Sequence, residues 1–263
     1  MKILLDQTTP PPTQALWSQT ATTVDRPVAT PKAIASRLKA HLRSWLGAWP
    51  ATERLDLIVW PGREEPGWDG GYWPGLGVAS PSGTVFSLSP RIGFDVAALN
   101  GERVAAALDS PAAATAVPAA LGRPDLTLTR AAFRWSEKPA TLPAIGEWVD
   151  RDDPRLPPWL RPFNGGVVAA WDDAGKLAAG VGIKRHNAFG HELSVGTEPA
   201  HRGKGLAAAL VAQAADRVLA AGAVPLYLHD YENAASAHVA ARSGFPDRGW
   251  SVIGLLPEVH PAP

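Results

Sequence analysis

The sequence predicts an α/β fold with a mixed, largely antiparallel sheet flanked by helices. Residues 167–171 and 177–186 read as strands that flank a hairpin turn signal at residues 172–175. A second four-residue turn, at residues 187–190, leads into another strand-like run over residues 191–197. Three successive antiparallel strands are therefore expected in this part of the chain.

The carboxy-terminal pattern continues with helices and strands in alternation. Residues 205–221 place Leu206, Leu210, Ala214 and Val218 on one helical face, and Gly222 suits the end of that helix. A strand over residues 224–229, a helix over 234–243 and a strand over 250–255 complete the pattern.

The first half of the chain also reads as α/β. The predicted elements are a helix over residues 31–49, a strand over 55–60, a hairpin over 78–88, a helix over 95–108 and a strand over 126–135 that suits either half. The Ala/Pro stretch 111–124 is the best linker candidate. Two domains are expected, residues 1–124 and residues 125–263.

Composition narrows the class of protein. The 263 residues are 46% hydrophobic, carry no formal net charge and include 11 Trp and no Cys. Without a basic run, nucleic acid is not an expected partner. No apolar stretch approaches the ~18 residues of a membrane span, and no Cys is present for a disulfide, a thiolate metal site or a nucleophile. A cytoplasmic enzyme is the expectation, and the oligomeric state is open.

The most informative stretch is Arg202-Gly203-Lys204-Gly205-Leu206-Ala207, which lies between a predicted strand and a predicted helix. Glycines before a helix let backbone N–H groups turn toward one spot, and the helix N-terminus carries partial positive charge. Such a place binds phosphate, and two cationic side chains add to it. A tight turn with two solvated basic residues is the alternative.

This loop and the segment after it resemble the GNAT superfamily of acyl-CoA-dependent N-acyltransferases. Arg202, Gly205 and Ala207 match the family's pyrophosphate loop. A later motif is matched by Asn233, Ser236, Val239, Arg242, Gly244 and Phe245. The resemblance covers about residues 165–256 and implies the GNAT fold for them. It implies acetyl-CoA as acyl donor, without a metal.

The resemblance also implies where acetyl-CoA binds. Residues 202–207 are expected to bind its pyrophosphate. Its thioester arm is expected to be bound by the strand before the loop, at Val195, Gly196 and Thr197, and by Asn233 and Ser236. For Asn233, an N-cap of the following helix is the alternative.

One departure concerns the acid that protonates the leaving thiolate. The family often carries a Tyr where this chain has Ala240. His229 and Tyr231 are the expected replacements, with Tyr227 on the same strand face as His229. A further alternative is that no protein acid is used, because a thiol of pKa about 8.5 leaves as a tolerable anion.

Amine acylation also needs a base, because an ammonium has no lone pair. GNAT enzymes often carry the base on the strand before the phosphate loop. Alternation puts Glu192 on one face of that strand and His191 on the other, and Glu192 is the first candidate. Its alternative is a structural ion pair with Lys184 or Arg185.

Two further clusters have open interpretations. His186 and His191 flank one turn and, with His229 or Glu192, could approach a metal site, although hydrogen-bonded histidines near a cleft are the simpler interpretation. Trp60, Trp68, Tyr72 and Trp73 fall in a Gly/Pro-rich loop over residues 61–77. They either line a substrate pocket or fasten the loop to the core.

Together these observations predict an acetyl-CoA-dependent N-acetyltransferase that transfers acetyl directly to the primary amine of a small molecule. The alternatives are a protein or peptide N-acetyltransferase and a non-catalytic acyl-CoA-binding module. The amino-terminal half is expected to be either a degenerate copy of the same fold or a lid over the acceptor site.

Overall fold

A single sheet of ten strands runs through both halves of the chain in the parts that the structure, a computed structural model, describes: residues 31–92 and 100–257. The strands are β1 (Leu55–Val59), β2 (Gly75–Ser80), β3 (Gly83–Leu88), β4 (Leu126–Trp135), β5 (Glu147–Val149), β6 (Val167–Trp171), β7 (Leu177–Arg185), β8 (Gly190–Thr197), β9 (Val224–His229) and β10 (Ser251–Pro257). Their order across the sheet is β1-β3-β2-β10-β4-β9-β8-β7-β6-β5. Only the β1–β3 and β8–β9 pairings are parallel, which confirms the predicted mixed, largely antiparallel sheet.

Helices cover both faces of this sheet. Within the described residues they are α1 (Pro31–Leu46), α2 (Gly101–Leu108), α3 (Ala113–Ala120), α4 (Leu206–Ala220) and α5 (Ala234–Arg242). Side chains of α2 and α3 pack in one cluster with Ile253 and Leu255, and those of α4 and α5 pack with Leu193 and Tyr227. Helix α1 packs against alternate residues such as Leu226, and therefore lies on the opposite face.

The two halves are joined through β10. This last strand pairs with β2 from the first half on one side and with β4 on the other. Strand β4, which precedes residues 165–256 in the chain, thus lies between β10 and β9. The proposed boundary at residues 124 and 125 falls between α3 and β4, inside one hydrogen-bonded sheet.

The predicted linker over residues 111–124 is wrong, because most of it is helix α3. Its Ala-rich sequence has high helix propensity. Val117 and Leu121 recur four residues apart and are buried in the core cluster of the first half. Pro118 lies within this helix.

Within the described residues, the helix predicted over residues 95–108 corresponds to α2, Gly101–Leu108. Asn100 caps α2 by accepting a hydrogen bond from the Arg103 N–H at 3.0 Å, so the described helix begins at Gly101. Residues 95–99 lie outside the described part of the chain. The short strand β5 has no counterpart in the sequence analysis.

We expect Ile253→Ala to lower the free energy of unfolding by about 2–5 kcal/mol, because it empties a fully buried position on β10. Urea denaturation followed by circular dichroism measures this. Val252→Ala, at a half-buried position on the opposite face of the same strand, is the matched control and should cost clearly less. Because β10 pairs with both β2 and β4, each variant should unfold in one transition, and two separate transitions would contradict a shared sheet.

Candidate active site

The phosphate-binding loop predicted from the sequence is a turn of two left-handed glycines at the start of α4. Gly203 has φ +76° and Gly205, the N-cap of α4, has φ +79°. No described protein atom lies within 4 Å of where a Cβ would stand on either glycine. Arg202, Lys204 and both glycines are exposed, and no side chain caps the helix. The loop therefore presents open backbone and the free N–H groups of the first helical turn, as an anion site requires.

The sheet opens just before this loop. Strands β8 and β9 pair at Gly190–Val224, His191–Pro225 and Glu192–Leu226, and the pairing stops there. Beyond it β8 stays paired with β7 as far as Thr197, and β9 stays paired with β4 as far as His229. Residues 193–197 of β8, which include the predicted Val195, Gly196 and Thr197, therefore have an edge without a β9 partner.

A cavity of about 1300 Å³ lies on the face of the sheet that carries α1. Glu192 and Leu228 line it, while their sequence neighbours Leu193 and Tyr227 pack under α4 and α5 on the other face. Strands β2, β4, β7 and β10 and the turn after β7 add further lining residues, and the wall opposite the sheet comes from α1 and the segment after β1. Four tryptophans line it: Trp45, Trp60, Trp68 and Trp73. The cavity is therefore built by both halves of the chain and meets the sheet where β8 and β9 separate.

Three of the aromatic residues in the Gly/Pro-rich loop line this cavity, as one of the two open interpretations predicted. Trp60, Trp68 and Trp73 do so, whereas Tyr72 is 56% exposed and does not contribute. Trp68 also stacks on Phe163 with ring centroids 5.5 Å apart. The loop is thus both fastened to the second half and part of the cavity wall.

Glu192 is the buried carboxylate of the cavity. Lys184 Nζ donates to its Oε1 at 2.5 Å, and His186 Nε2 lies 2.9 Å from its Oε2. Burial alone would raise the pKa of this carboxyl, but the hydrogen bond from His186 and the Lys184 ammonium lower the pKa to about 2. Glu192 is therefore ionised at neutral pH and is a weak proton acceptor.

His186, which the sequence analysis placed among hydrogen-bonded histidines near a cleft but not among the base candidates, is the partner of Glu192. An ionised carboxylate only accepts hydrogen bonds, so His186 Nε2 carries the proton, and in the neutral ring Nδ1 is left as an acceptor. The ring packs against Trp45, with centroids 4.8 Å apart, and lines the cavity. Its proximity to Glu192 follows from the register of β7 and β8, which pairs Lys184 with Glu192.

The second base candidate, His191, does not line the cavity. It shares the strand face of Leu193, opposite Glu192. Burial, together with the charge of Arg185, lowers the pKa of His191 to about 4. His186 and His191 thus lie on different faces of the sheet instead of facing each other across the turn.

Neither His229 nor Tyr231, the two predicted acids, has an N–H or O–H hydrogen directed into the cavity. His229 Nδ1 donates to the Asp230 carbonyl at 2.9 Å, so the neutral ring has no second N–H to give, and its buried Nε2 has no partner among the described residues. Tyr231 is 55% exposed and its hydroxyl bonds Ser251 Oγ at 2.7 Å. Neither residue lines the large cavity.

Asn233 and Ser236 have structural partners. Asn233 Oδ1 accepts from the Ser236 N–H at 2.9 Å and caps α5, which is the alternative that the sequence left open. Ser236 Oγ lies 2.9 Å from the buried Tyr227 hydroxyl. Ala240 is fully buried in the same cluster as Tyr227. Their predicted contacts with acetyl-CoA stay predictions.

Two further features bear on partners. Within residues 31–92 and 100–257, no three His, Asp or Glu side chains form a group that could hold a metal ion. None of the described helices is both long and apolar enough to cross a membrane.

Comparison with known families bears directly on this site. Residues 129–245 match the model of the acetyltransferase (GNAT) family, and the match includes the opened strand pair, the glycine loop and α5. This part of the chain is therefore similar to the GNAT acetyltransferases. The matched segment begins within β4, upstream of the resemblance at about residue 165.

Solved structures similar to this chain have the same family assignment. A protein from Novosphingobium aromaticivorans described as a GNAT-family acetyltransferase is 25% identical, over 52% of this chain and 69% of its own, with a TM-score of 0.40. A GCN5-related N-acetyltransferase-like protein from Streptococcus suis is 16% identical, over 56% and 68%, at 0.41. A tandem GNAT protein from the clavulanic acid biosynthesis pathway is 16% identical, over 59% and 61%, at 0.37. No curated protein matches this chain.

We expect Gly205→Asp to abolish acetyl-CoA binding, because it places a side chain and a negative charge where the GNAT loop presents open backbone. Isothermal titration calorimetry measures the affinity. The matched control is Gly122→Asp, since Gly122 has φ +71° and equally open surroundings but lies after α3. Both variants strain a left-handed position by about 1–2 kcal/mol, and equal loss of affinity in both would contradict the loop assignment.

Glu192→Gln should lower the free energy of unfolding at pH 7 by about 3 kcal/mol, because Lys184 loses its buried partner. The folded pKa of Glu192 lies below its usual value of 4.5, so its ionisation stabilises the fold above that pH and ceases to do so as the pH falls toward 2. The variant should therefore lose less stability than wild type between about pH 5 and pH 2. Urea denaturation across this range checks it, with the exposed Glu198→Gln as control.

Proposed function

We propose that this protein transfers the acetyl group of acetyl-CoA directly to the primary amine of a small molecule bound in the large cavity. The observation that carries the proposal is the position of the cavity. It is walled by tryptophans, and it reaches the buried Glu192 where β8 and β9 separate. Aromatic walls with few buried polar groups suit small-molecule sites.

Acetyl-CoA fits the residues on the other side of this opening. The N–H groups at the start of α4, with Arg202 and Lys204, would hold its pyrophosphate, and the unpaired edge of residues 193–197 would hold its thioester arm. The chemistry that it supplies there is an activated acyl group. The open space around the Gly203 and Gly205 Cα atoms is what a closely bound phosphate needs.

In this proposal His186 takes the proton from the amine, and Glu192 assists instead of acting alone. The Nδ1 atom of His186 is the acceptor, and the Glu192 carboxylate orients the ring and stabilises the imidazolium that forms. Lys184 keeps Glu192 ionised. No protein acid is required at the thiolate, because a thiol of pKa about 8.5 leaves as an anion.

The first half of the chain is proposed to shape the acceptor site in an otherwise GNAT-like enzyme. Helix α1 and the loop with Trp60, Trp68 and Trp73 provide the wall opposite the sheet. A non-catalytic acyl-CoA-binding module is the rival from another class, and Ala240 is the feature that favours it.

The proposal is tested by coenzyme A release from acetyl-CoA, with a library of small primary amines in one arm and a peptide library in the other. We expect turnover of small amines, with peptides poor. Glu192→Gln and His186→Gln should each lower turnover by about two to four orders of magnitude while acetyl-CoA affinity is kept. Turnover of peptides alone would overturn the acceptor class. Tight acetyl-CoA binding without turnover on either library would favour the non-catalytic module.

A further inference from the structure

The cavity contains a half-buried arginine whose guanidinium has no carboxylate partner among the described residues. Arg63 lines it from the short helix Pro61–Glu64. Among the described residues, no carboxylate lies within 4 Å of the Arg63 nitrogens, whereas the adjacent Glu64 pairs with Arg91 at 3.1 Å. The Arg63 Nε atom is buried without a hydrogen-bond partner in the described part of the chain.

Two contacts hold Arg63 in place. Its guanidinium carbon lies 5.3 Å from the centre of the Trp60 ring, and one terminal nitrogen donates to the Trp45 carbonyl at 2.7 Å. That carbonyl belongs to the last turn of α1, so the hydrogen bond also caps the helix. One hydrogen bond uses one of the five donors of a guanidinium and does not neutralise its charge.

A partly desolvated guanidinium without a counter-ion carries a free-energy cost. Burial lowers the pKa of Arg63 to about 10, which leaves the group charged at neutral pH but poorly solvated. A buried charge without a partner is unfavourable, and an anion placed opposite it would recover part of that cost. The unmatched charge therefore points to a ligand.

The other charged residues that line the cavity do not need a ligand as counter-ion. Glu192 is matched by Lys184 and His186. Glu65, Asp69, Asp230, Arg43 and Arg130 are exposed, so water solvates them. Among the described lining residues, the partly buried charge without an ion-pair partner is thus Arg63, at the wall formed by α1 and the Trp60 loop.

We propose that Arg63 binds an anionic oxygen group of the acceptor, a carboxylate or a phosphate, so that the acceptor is an amine with an acidic tail. This assignment rests on the proposed function of the same cavity. A guanidinium binds either group through two parallel hydrogen bonds, which also orients the ligand. The amine end would then be directed toward His186 and Glu192.

The test uses amine pairs that differ in the tail: β-alanine with β-alaninamide, phenylalanine with phenylalaninamide, and phosphoethanolamine with ethanolamine. The kcat/KM of each is measured by coenzyme A release. We expect wild type to prefer the anionic member of at least one pair by tenfold or more. The carboxylate and phosphate pairs distinguish the two tails.

Arg63→Gln should lower kcat/KM for the preferred anionic acceptor by about tenfold to hundredfold and change its neutral partner by less than about threefold. Arg63→Lys should retain part of the preference, because lysine keeps the positive charge but cannot form the two parallel hydrogen bonds of a guanidinium. The matched control is Arg37→Gln, which removes a half-buried arginine of α1 that also has a buried unpartnered nitrogen but does not line the cavity. A purely structural role for Arg63 would lower both members of a pair equally.

Ligand binding is measured separately from turnover, so that a failure of the proposed function can be distinguished from a failure of the Arg63 assignment. Thermal shifts of wild type and Arg63→Gln are recorded with the N-acetylated form of each probe. If no amine is turned over but the anionic products still stabilise wild type alone, the anion site stands and the proposed function fails. If neither kcat/KM nor the thermal shift favours an anionic member of any pair, or if Arg63→Gln keeps the preference, the Arg63 assignment is overturned.

Discussion

The separation of β8 from β9 is the constraint on which the candidate site depends. Each strand is held by its outer neighbour, β7 or β4, so both stay extended after their shared pairing ends at Glu192 and Leu226. The opening lies between the glycine loop on one face of the sheet and the cavity on the other. In the proposed function, acetyl-CoA and the amine would meet at this opening.

Burial of charge organises the cavity beside it. Glu192 is stabilised as an anion by two donors from β7 and the turn after it, and that same stabilisation makes it a poor base. The carboxylate instead fixes the tautomer of His186. The proposed roles of the two residues therefore differ: His186 accepts the proton and Glu192 orients the ring. Arg63 shows the opposite situation, a partly buried charge for which the described chain supplies no counter-ion.

The first half of the chain contributes through the sheet and through its loop. Because β10 pairs with β2 as well as β4, the first-half strands extend the GNAT sheet in register. That continuity places α1 and the Trp60 loop over the face with the cavity. Its position over the cavity agrees with the role proposed for it.

The sequence by itself determined the local elements: the three hairpins, the helices α1, α4 and α5, and the left-handed glycines before α4. These depend on periodicity and on backbone conformations that only nearby residues decide. It also placed Glu192 and His191 on different faces of β8. Only the tertiary structure decided the insertion of β4 between β9 and β10, the contact of His186 with Glu192, and the position of Arg63 in the cavity wall. These depend on strand order and on partners distant in the chain, and no local pattern in one sequence specifies such contacts.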